Sequence, residues 1–274
     1  MTAQLSSSPA STHINTEAHR RTETCINAGI AAPVVLVTGA ARRVGAEIAR
    51  HLHGAGARVV LHYRSSATEA EVLAAALNDA RPDSAATVAG DLSVRGVAED
   101  VATAALRCFD QLDALVNNAS SFFPTPMGAI DHPAWDELIG SNLMGPLFLS
   151  QALAPAIRAR NGAIVNIVDV HAERPLAGYP LYSAAKSGLA GLTRALAIEL
   201  APAVRVNGVA PGAIEWPEDG QFSPAEREHI LADTLLKRIG SAADIARTVR
   251  FLLFDAPYIT GQIIAVDGGR SAHL

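Results

Sequence analysis

The sequence is poor in cysteine and in aromatic residues, and it carries no excess of positive charge. Its 274 residues include two cysteines, Cys25 and Cys108, and 5% aromatic residues, with a formal net charge of −5. Two isolated cysteines match neither a disulfide framework nor a zinc-ligand spacing, which indicates a reducing compartment. The mildly acidic balance gives no reason to expect a nucleic-acid or membrane partner.

Long apolar runs and metal-ligand motifs are also missing. No apolar run reaches the roughly 18 residues of a membrane span, and no G-x-S-x-G motif indicates a hydrolase. The nine histidines are scattered, so no ligand set for a metal is predicted. We therefore expect a cytoplasmic protein that acts on a small molecule.

The first thirty residues differ in composition from the rest of the chain. The polar stretch from residue 6 to residue 24 has no hydrophobic periodicity, and no apolar segment typical of a secretory signal follows the start. Glu17 and Glu23 disfavour a transit peptide. We predict a disordered tail over residues 1–30 and one folded domain over residues 31–274.

From Pro33 onward, short apolar segments alternate with helical patterns. Strands are predicted at residues 34–37, 58–61, 86–89, 114–116, 163–168, 204–209 and 263–266. Helices are predicted at 44–54 and 67–80, and a helical pattern continues from about 131 to 160. Strands separated by helices favour a parallel sheet covered on both faces. The prediction is a doubly wound, Rossmann-type α/β fold in a single domain.

The segment Thr38–Gly45 lies between the first predicted strand and its helix. Gly39 permits a tight turn, and Gly45 lets the start of the helix pack against the sheet. The free N–H groups and the dipole of that helix N-terminus favour a pyrophosphate. An ordinary strand-to-helix turn is the alternative, but the repeated strand–helix pattern favours a dinucleotide site.

The end of the second strand indicates which dinucleotide is bound. It reads His62-Tyr63-Arg64-Ser65-Ser66, without the acidic residue that NAD-binding proteins use to hold the ribose 2′-hydroxyl. A guanidinium flanked by hydroxyls suits a 2′-phosphate instead. NADPH/NADP+ is the predicted cofactor, and a solvated polar loop is the alternative.

Tyr182 and Lys186 are four residues apart, which places them on one face of a helix. There the ammonium can lower the pKa of the phenol. Asp169 directly follows the apolar run 163–168, so it is expected at the C-terminal edge of the sheet. A carboxylate beside a tyrosine opposes phenolate formation and raises its pKa. The pair therefore favours a protonated phenol that acts as an acid, as reduction requires.

These motifs together resemble the short-chain dehydrogenase/reductase family from about Pro33 to Gly269. The segments in family order are Thr38–Gly45, Asp91, Asn117-Asn118-Ala119, Asn142, Tyr182, Lys186, Pro211-Gly212 and Val266–Gly269. The resemblance implies that Asp91 contacts the adenine and that Asn142 keeps a water-linked proton path to Lys186. It implies cofactor contacts by Gly39, Arg42, Arg43, Val44, Gly45, His62, Tyr63, Arg64, Ser65, Asp91, Leu92, Asn118, Ala119, Ser120, Tyr182, Lys186, Pro211 and Gly212.

Two departures from the general family pattern narrow the resemblance to one subgroup. Asp169 stands where most members have a serine that polarises a carbonyl, and Arg43 stands where most have a small residue. With the run Asn118–Pro126, these features resemble pteridine reductases and dihydromonapterin reductases. That subgroup implies hydride transfer from NADPH to a pterin C=N bond, across C7 and N8 or across C6 and N5, and the use of folates as a further option.

The subgroup also implies roles for individual residues. Tyr182 donates the proton with Asp169 as its partner, Lys186 holds the nicotinamide ribose, and Asn142 completes the catalytic set. Substrate contacts are implied for Arg43, Ser120, Phe122, Asp169, Tyr179, Tyr182 and Trp216. Phe122 would stack on the pterin, with a core phenylalanine as the alternative, and Trp216 is either a cap on the pocket or a surface residue. His171 is interpreted as a loop residue rather than a catalyst.

Two other functions stay open. A related reductase of a ketone, sugar or acyl carrier would be expected to carry serine in place of Asp169. A non-catalytic NADP-sensing protein would not need Asn142, Tyr182 and Lys186 together. The resemblance further implies a homotetramer, assembled in part through the helix of Tyr182, where Ser187–Leu192 supplies small residues.

Overall fold

A parallel β-sheet of seven strands runs through the computed structural model, which describes residues 32–216 and 222–273. The predicted tail over residues 1–30 lies outside the described residues. The strand order is β3-β2-β1-β4-β5-β6-β7, and every neighbouring pair is parallel. The strands are β1 Val34–Val37, β2 Arg58–Tyr63, β3 Ala85–Ala89, β4 Ala114–Asn117, β5 Ala163–Ile167, β6 Arg205–Pro211 and β7 Ile263–Val266. The predicted doubly wound Rossmann-type fold is confirmed.

Helices cover both faces of the sheet. They are α1 Arg43–Gly54, α2 Ala67–Ala80, α3 Val97–Phe109, α4 His132–Ile139, α5 Gly145–Ala159, α6 Pro180–Glu199, α7 Pro224–Asp233, α8 Ala242–Arg250 and α9 Arg270–His273. The predicted helices at 44–54 and 67–80 correspond to α1 and α2. None of the helices within the described ranges is both long and apolar enough to cross a membrane.

The sheet separates two hydrophobic clusters because successive side chains of a strand point to opposite faces. In β1, Val35 and Val37 belong to one cluster, and Val34 and Leu36 belong to the other. All four residues are buried. Burial on both faces explains why the strands have continuous apolar sequences rather than alternating ones.

The chain reverses its winding direction between β1 and β4. The connection after β1 leads towards β2 on one side, and the connection after β4 leads towards β5 on the other. Connections that diverge in this way leave a crevice at the carboxyl ends of the strands. The segments after β1, β2, β4, β5 and β6 meet at that edge, which is where the predicted site residues lie.

The segment with a helical pattern at 131–160 forms two helices in the structure, α4 and α5. A π-helical turn, Gly140–Met144, joins α4 to α5. Pro146 has no N–H for the α-helical bond to the carbonyl of Asn142. Asn142 Nδ2 also donates to the carbonyl of Leu138 at 2.9 Å. The backbone accommodates both features by widening locally, and the widened turn carries a predicted catalytic residue.

Gly162, at the entrance to β5, provides a test of the fold. A Cβ atom there would lie 1.9 Å from the carbonyl oxygen of Asp113 and 2.8 Å from Ile157 Cγ2. We expect Gly162→Ala to lower the free energy of unfolding by about 1–3 kcal/mol, because the added methyl group would force the backbone at Asp113 to move. The midpoint of urea unfolding at matched protein concentration measures the change.

Gly54→Ala is the matched control, because a Cβ atom at Gly54 would meet nothing within 4 Å. Gly54 ends α1, where alanine is the better helix former, so its midpoint is expected to stay the same or rise. Equal midpoints for the two variants would contradict the packing at Gly162.

Candidate active site

The loop after β1 is held by the loop after β4. Thr38 Oγ1 accepts hydrogen bonds from the backbone N–H groups of Asn118 and Ala119, at 2.8 and 2.9 Å. Asn118 Nδ2 donates to the carbonyl of Thr38 at 2.8 Å. Gly39 adopts a φ of +61°, a conformation that favours glycine. A Cβ atom at Gly45 would lie 2.1 Å from the Gly39 oxygen, so this turn requires both glycines.

A first cavity of about 390 Å³ lies over this turn. Arg42, the N-cap residue of α1, makes no side-chain hydrogen bond to the first turn of the helix. The N–H groups and dipole at this end therefore remain able to receive an anion. Among the predicted cofactor residues, the first cavity is lined by Gly39, Arg42, Arg43, Val44, Gly45, His62, Tyr63, Arg64, Ser65, Asp91, Leu92, Asn118, Ala119 and Ser120.

Both ring nitrogens of His62 already have partners within the protein, so neither is free to bind a cofactor phosphate. Nδ1 accepts from the N–H of Gly39 at 3.2 Å, and Nε2 is 3.0 Å from the carbonyl oxygen of Gly90. A backbone N–H can only donate and a carbonyl can only accept, so these contacts define one neutral tautomer. Burial lowers the pKa of His62 to about 4. Its observed role is to position the Gly39 turn.

Arg64 is paired with a carboxylate that the sequence analysis did not single out. Its Nη1 lies 2.7 Å from Glu137 Oε1, and the hydroxyl of Ser121 donates to the same oxygen. The hydrogen bond to Glu137 raises the pKa of Arg64. Glu137 lies on α4, 73 residues further along the chain. No local pattern in the sequence indicates this pair.

Asp169 and Tyr182 form the contact that the sequence predicted. The Tyr182 hydroxyl donates to Asp169 Oδ2 at 2.7 Å, and the N–H of His171 donates to Asp169 Oδ1 at 2.8 Å. Asp169 follows the end of β5 and caps the short 3₁₀ turn Val170–Ala172. Burial raises the pKa of Tyr182 well above its ordinary value, and the charge of Asp169 raises it further. The phenol is therefore held in its protonated form.

Lys186 is fully buried beneath this pair. Its Nζ donates to the carbonyl of Ile167 at 2.9 Å and lies 5.7 Å from the centroid of the Tyr182 ring. Burial lowers the pKa of Lys186 to about 8, and the charge of Asp169 opposes that shift. The ammonium is consequently present below about pH 8 and is lost as the pH rises through that value.

Asn142 acts on the site through Ser120. Ser120 Oγ donates to Asn142 Oδ1 at 2.6 Å, and Asn142 Nδ2 donates to the carbonyl of Ser121 at 2.9 Å. Asn142 is buried and does not line the first cavity. The structure thus shows a positioning contact, and the water-linked proton path stays a prediction.

A second cavity, of about 450 Å³, opens beside Tyr182. It shares Arg43, Val44, Asn118 and Ser120 with the first cavity, so the two are continuous. Its volume suits a small-molecule ligand. The predicted residues that line it are Arg43, Val44, Asn118, Ser120, Phe122, Asp169, Tyr182, Lys186, Pro211, Gly212 and Trp216.

Aromatic side chains form part of the second cavity and its support. The rings of Phe122 and Tyr179 are stacked with centroids 4.7 Å apart and planes 10° apart. Phe122 also meets Tyr182 at an interplanar angle of 77°. Tyr179 precedes α6, and it does not line the second cavity. Its expected hydrogen bond to substrate stays a prediction, and its observed contact supports Phe122.

The far wall of the second cavity includes residues after β6. The Trp216 ring lies 5.2 Å from Arg227 Cζ, and Arg43 Nη2 donates to the carbonyl of Glu215 at 3.2 Å. These contacts place Trp216 at the cavity rather than on a remote surface. Several other residues that line this cavity were not predicted from the sequence to belong to the site, namely His171, Leu176, Phe222, Ile230 and Arg270.

Comparisons with known proteins agree with this architecture. A family model described as enoyl-(acyl carrier protein) reductase matches residues 39–271. The chain is 41% identical to pteridine reductase 1 of Leishmania tarentolae, with 88% of this chain and 96% of the relative covered. It is 37% identical to a 3-oxoacyl-(acyl carrier protein) reductase of Staphylococcus aureus, with 85% and 96% covered.

The chain belongs to the short-chain dehydrogenase/reductase family. Membership implies an oxidoreductase with a nicotinamide cofactor and a small-molecule substrate. The relatives named above act on different substrates, so the family alone does not select one.

The Asp169–Tyr182 contact can be tested by titration. Asp169→Asn removes the negative charge while keeping a side chain of the same shape, so we expect the pKa of Tyr182 to fall. Burial remains, which keeps the pKa above its ordinary value. Tyrosinate absorbance followed against pH measures the shift, and Tyr182→Phe identifies the Tyr182 contribution. Superimposable titrations of the wild type and Asp169→Asn would contradict the contact.

Proposed function

We propose that this protein is an NADPH-dependent pteridine reductase that reduces dihydropterins to their tetrahydro forms. The observation that carries the proposal is the hydrogen bond between the Tyr182 hydroxyl and the Asp169 carboxylate. An enzyme that oxidises alcohols needs the phenolate as a base. A carboxylate in contact with the phenol favours the opposite direction, in which the protein supplies a proton.

The residues of the first cavity fit the proposed cofactor. The uncapped start of α1 suits the pyrophosphate, and Arg64 with Ser65 suits a 2′-phosphate. Lys186 suits the nicotinamide ribose because its ammonium lies beside Tyr182 and the residue lines the second cavity. When bound, the cofactor supplies a hydride to the carbon of a C=N bond.

The protein then has to supply a proton to the nitrogen of that bond. Tyr182 carries its proton at the hydroxyl oxygen, and Asp169 accepts a hydrogen bond from it. After the transfer, a proton from water restores the phenol, and the charge of Asp169, 2.7 Å from the hydroxyl, favours that step because it disfavours the phenolate. Lys186 supplies a positive charge below about pH 8 that offsets the carboxylate. Tyr182 is therefore the donor, and Asp169 maintains its protonated form.

The second cavity suits a flat heterocycle. Phe122 offers an aromatic wall, stiffened by its contacts with Tyr179 and Tyr182. Stacking on such a wall orients a planar ring without demanding a particular substituent. Ser120, held by Asn142, supplies a hydroxyl at the same cavity. These features favour a pterin over a flexible acyl chain.

A 3-oxoacyl reductase is the second candidate, since the Staphylococcus aureus relative carries that name. Asp169 discriminates between the two. Polarising a carbonyl requires a hydrogen-bond donor such as a serine hydroxyl, and an ionised carboxylate can only accept.

The direct test follows the near-ultraviolet absorbance of NADPH with dihydrobiopterin as the substrate. The wild type is expected to oxidise NADPH, and Asp169→Ser is expected to lower kcat by about 10²-fold or more, as loss of assisted proton transfer does. Tyr182→Phe should have a similar effect, because both changes remove the same proton route.

Acetoacetyl-coenzyme A serves as the control substrate for the second candidate. Faster oxidation with this substrate than with dihydrobiopterin would overturn the proposal. So would an Asp169→Ser enzyme that keeps its kcat on the pterin and changes only in KM.

The cofactor preference generates a separate prediction. Arg64→Met removes a charge-assisted contact to the 2′-phosphate, so the KM for NADPH is expected to rise about 10–100-fold. The KM for NADH should stay within about twofold, because its 2′-hydroxyl has no phosphate to lose. Steady-state kinetics with both cofactors measure the ratio, and a parallel rise in both KM values would contradict the assignment.

Two further expectations stay predictions. They are assembly as a homotetramer, in part through α6, on which Ile198 is exposed, and a cytoplasmic location.

A further inference from the structure

Arg270 lines the second cavity, together with Asp169, Tyr182 and Trp216. It begins α9, immediately after the turn that follows β7. Asp267 holds that turn, since its Oδ2 accepts from the N–H of Ser271 at 2.6 Å. This hydrogen bond fixes the backbone next to Arg270. Arg270 itself directly follows the last family motif, Val266–Gly269.

Arg270 is buried, and one nitrogen of its guanidinium is unpartnered among the described residues. Arg270 is only 8% exposed, and its Nε has no hydrogen-bond partner within the described ranges. None of the ion pairs between residues in those ranges involves it. A buried, unpaired cation is costly, so its presence at a cavity wall requires an explanation.

Arg205 shows how the same fold treats a structural arginine. Its Nη1 donates to the carbonyl of Leu252 at 2.6 Å, and its Nη2 donates to the carbonyl of Leu253 at 2.8 Å. Arg205 therefore needs no ligand. Arg270 has no such carbonyl partners in the part of the chain that the structure describes, and it faces a cavity instead of packed backbone.

The other charges of the second cavity indicate the sign of the missing partner. Arg43 adds a positive charge to the lining, while the charges of Lys186 and Asp169 offset each other. Asp169 is occupied by Tyr182 and by the N–H of His171, and Glu215 is exposed. An anion is therefore the ligand that this wall favours. The planar fork of a guanidinium binds a carboxylate or a phosphate through two parallel hydrogen bonds.

We propose that Arg270 is a subsite for an anionic group on the substituent of the pterin substrate. This inference rests on the proposed function and deepens it. The preferred substrates are pterins whose side chain ends in a carboxylate or a phosphate, and uncharged pterins are poorer substrates. The apolar wall of Phe122 and Trp216 contacts the rest of the molecule, and Arg270 selects for its charged end.

Kinetics with three substrates test the selectivity. Dihydrofolate carries carboxylates, dihydroneopterin monophosphate carries a phosphate, and dihydrobiopterin carries neither. For Arg270→Met, the ratio of kcat/KM on the better anionic substrate to that on dihydrobiopterin is expected to fall about tenfold or more. The substrate that shows the larger fall identifies the carboxylate or the phosphate as the natural group. Equal losses on all three would overturn the proposal.

Arg270→Lys and Arg238→Met are the matched variants. A lysine keeps the charge but not the planar fork, so it should restore part of the selectivity. Arg238 is exposed, pairs with Asp244 at 3.7 Å and lines neither cavity. Its replacement should leave the ratio unchanged, and a fall equal to that of Arg270→Met would contradict a role specific to the second cavity.

Thermal unfolding provides a readout that does not depend on turnover. p-Aminobenzoyl-glutamate and inorganic phosphate serve as the carboxylate and phosphate probes. At least one probe is expected to raise the unfolding midpoint of the wild type and not that of Arg270→Met. Without a probe, Arg270→Met should be no less stable than the wild type, because it removes an unpaired buried charge. A large loss of stability, or equal stabilisation of both proteins by the probes, would overturn the subsite.

These readouts separate the two proposals. If none of the pterins tested supports NADPH oxidation by the wild type, the proposed function fails. The anion subsite still stands if a probe stabilises the wild type and not Arg270→Met. If dihydrobiopterin is reduced and Arg270→Met leaves the selectivity unchanged, the subsite fails and the proposed function stands.

Discussion

The arrangement of the site depends on one hydrogen bond, from the Tyr182 hydroxyl to Asp169 Oδ2. It joins the end of β5 to α6, and Lys186 reinforces the same junction by donating to the last residue of β5, Ile167. Tyr182 and Lys186 are buried and Asp169 is half-buried, so the charges of this group strongly affect one another. The carboxylate holds the phenol in its protonated form, and the ammonium balances the carboxylate. The proposed direction of the reaction follows from that balance.

Hydrogen bonds join the loops that surround the first cavity. Asn118 ties the loop after β4 to Thr38, while His62 ties the loop after β1 to the end of β2. These contacts consume the polar groups that face the protein interior and leave the start of α1 uncapped. The N–H groups at the start of α1 therefore remain available to an anion, while the surrounding donors and acceptors already have partners. The two cavities then share a border at Arg43.

Three arginines show how context decides the role of one residue type. Arg205 donates to two backbone carbonyls, which gives it a structural role. Arg64 pairs with Glu137 at the edge of the first cavity, so its charge is partly compensated before any ligand arrives. Arg270 is buried at the second cavity with an unpartnered Nε. The sequence contains the same side chain at each position, and only the surroundings separate a structural cation from one available to a ligand.

The sequence by itself determined the element order, the parallel sheet and the residues at the carboxyl ends of the strands. Each of these follows from local patterns: apolar runs, glycine positions, and the spacing of Tyr182 and Lys186. Only the tertiary structure decided the pairing of Arg64 with Glu137, the stacking of Tyr179 on Phe122 and the burial of Arg270. Such contacts join residues from different elements. Side-chain packing sets them, and packing leaves no periodicity in the sequence.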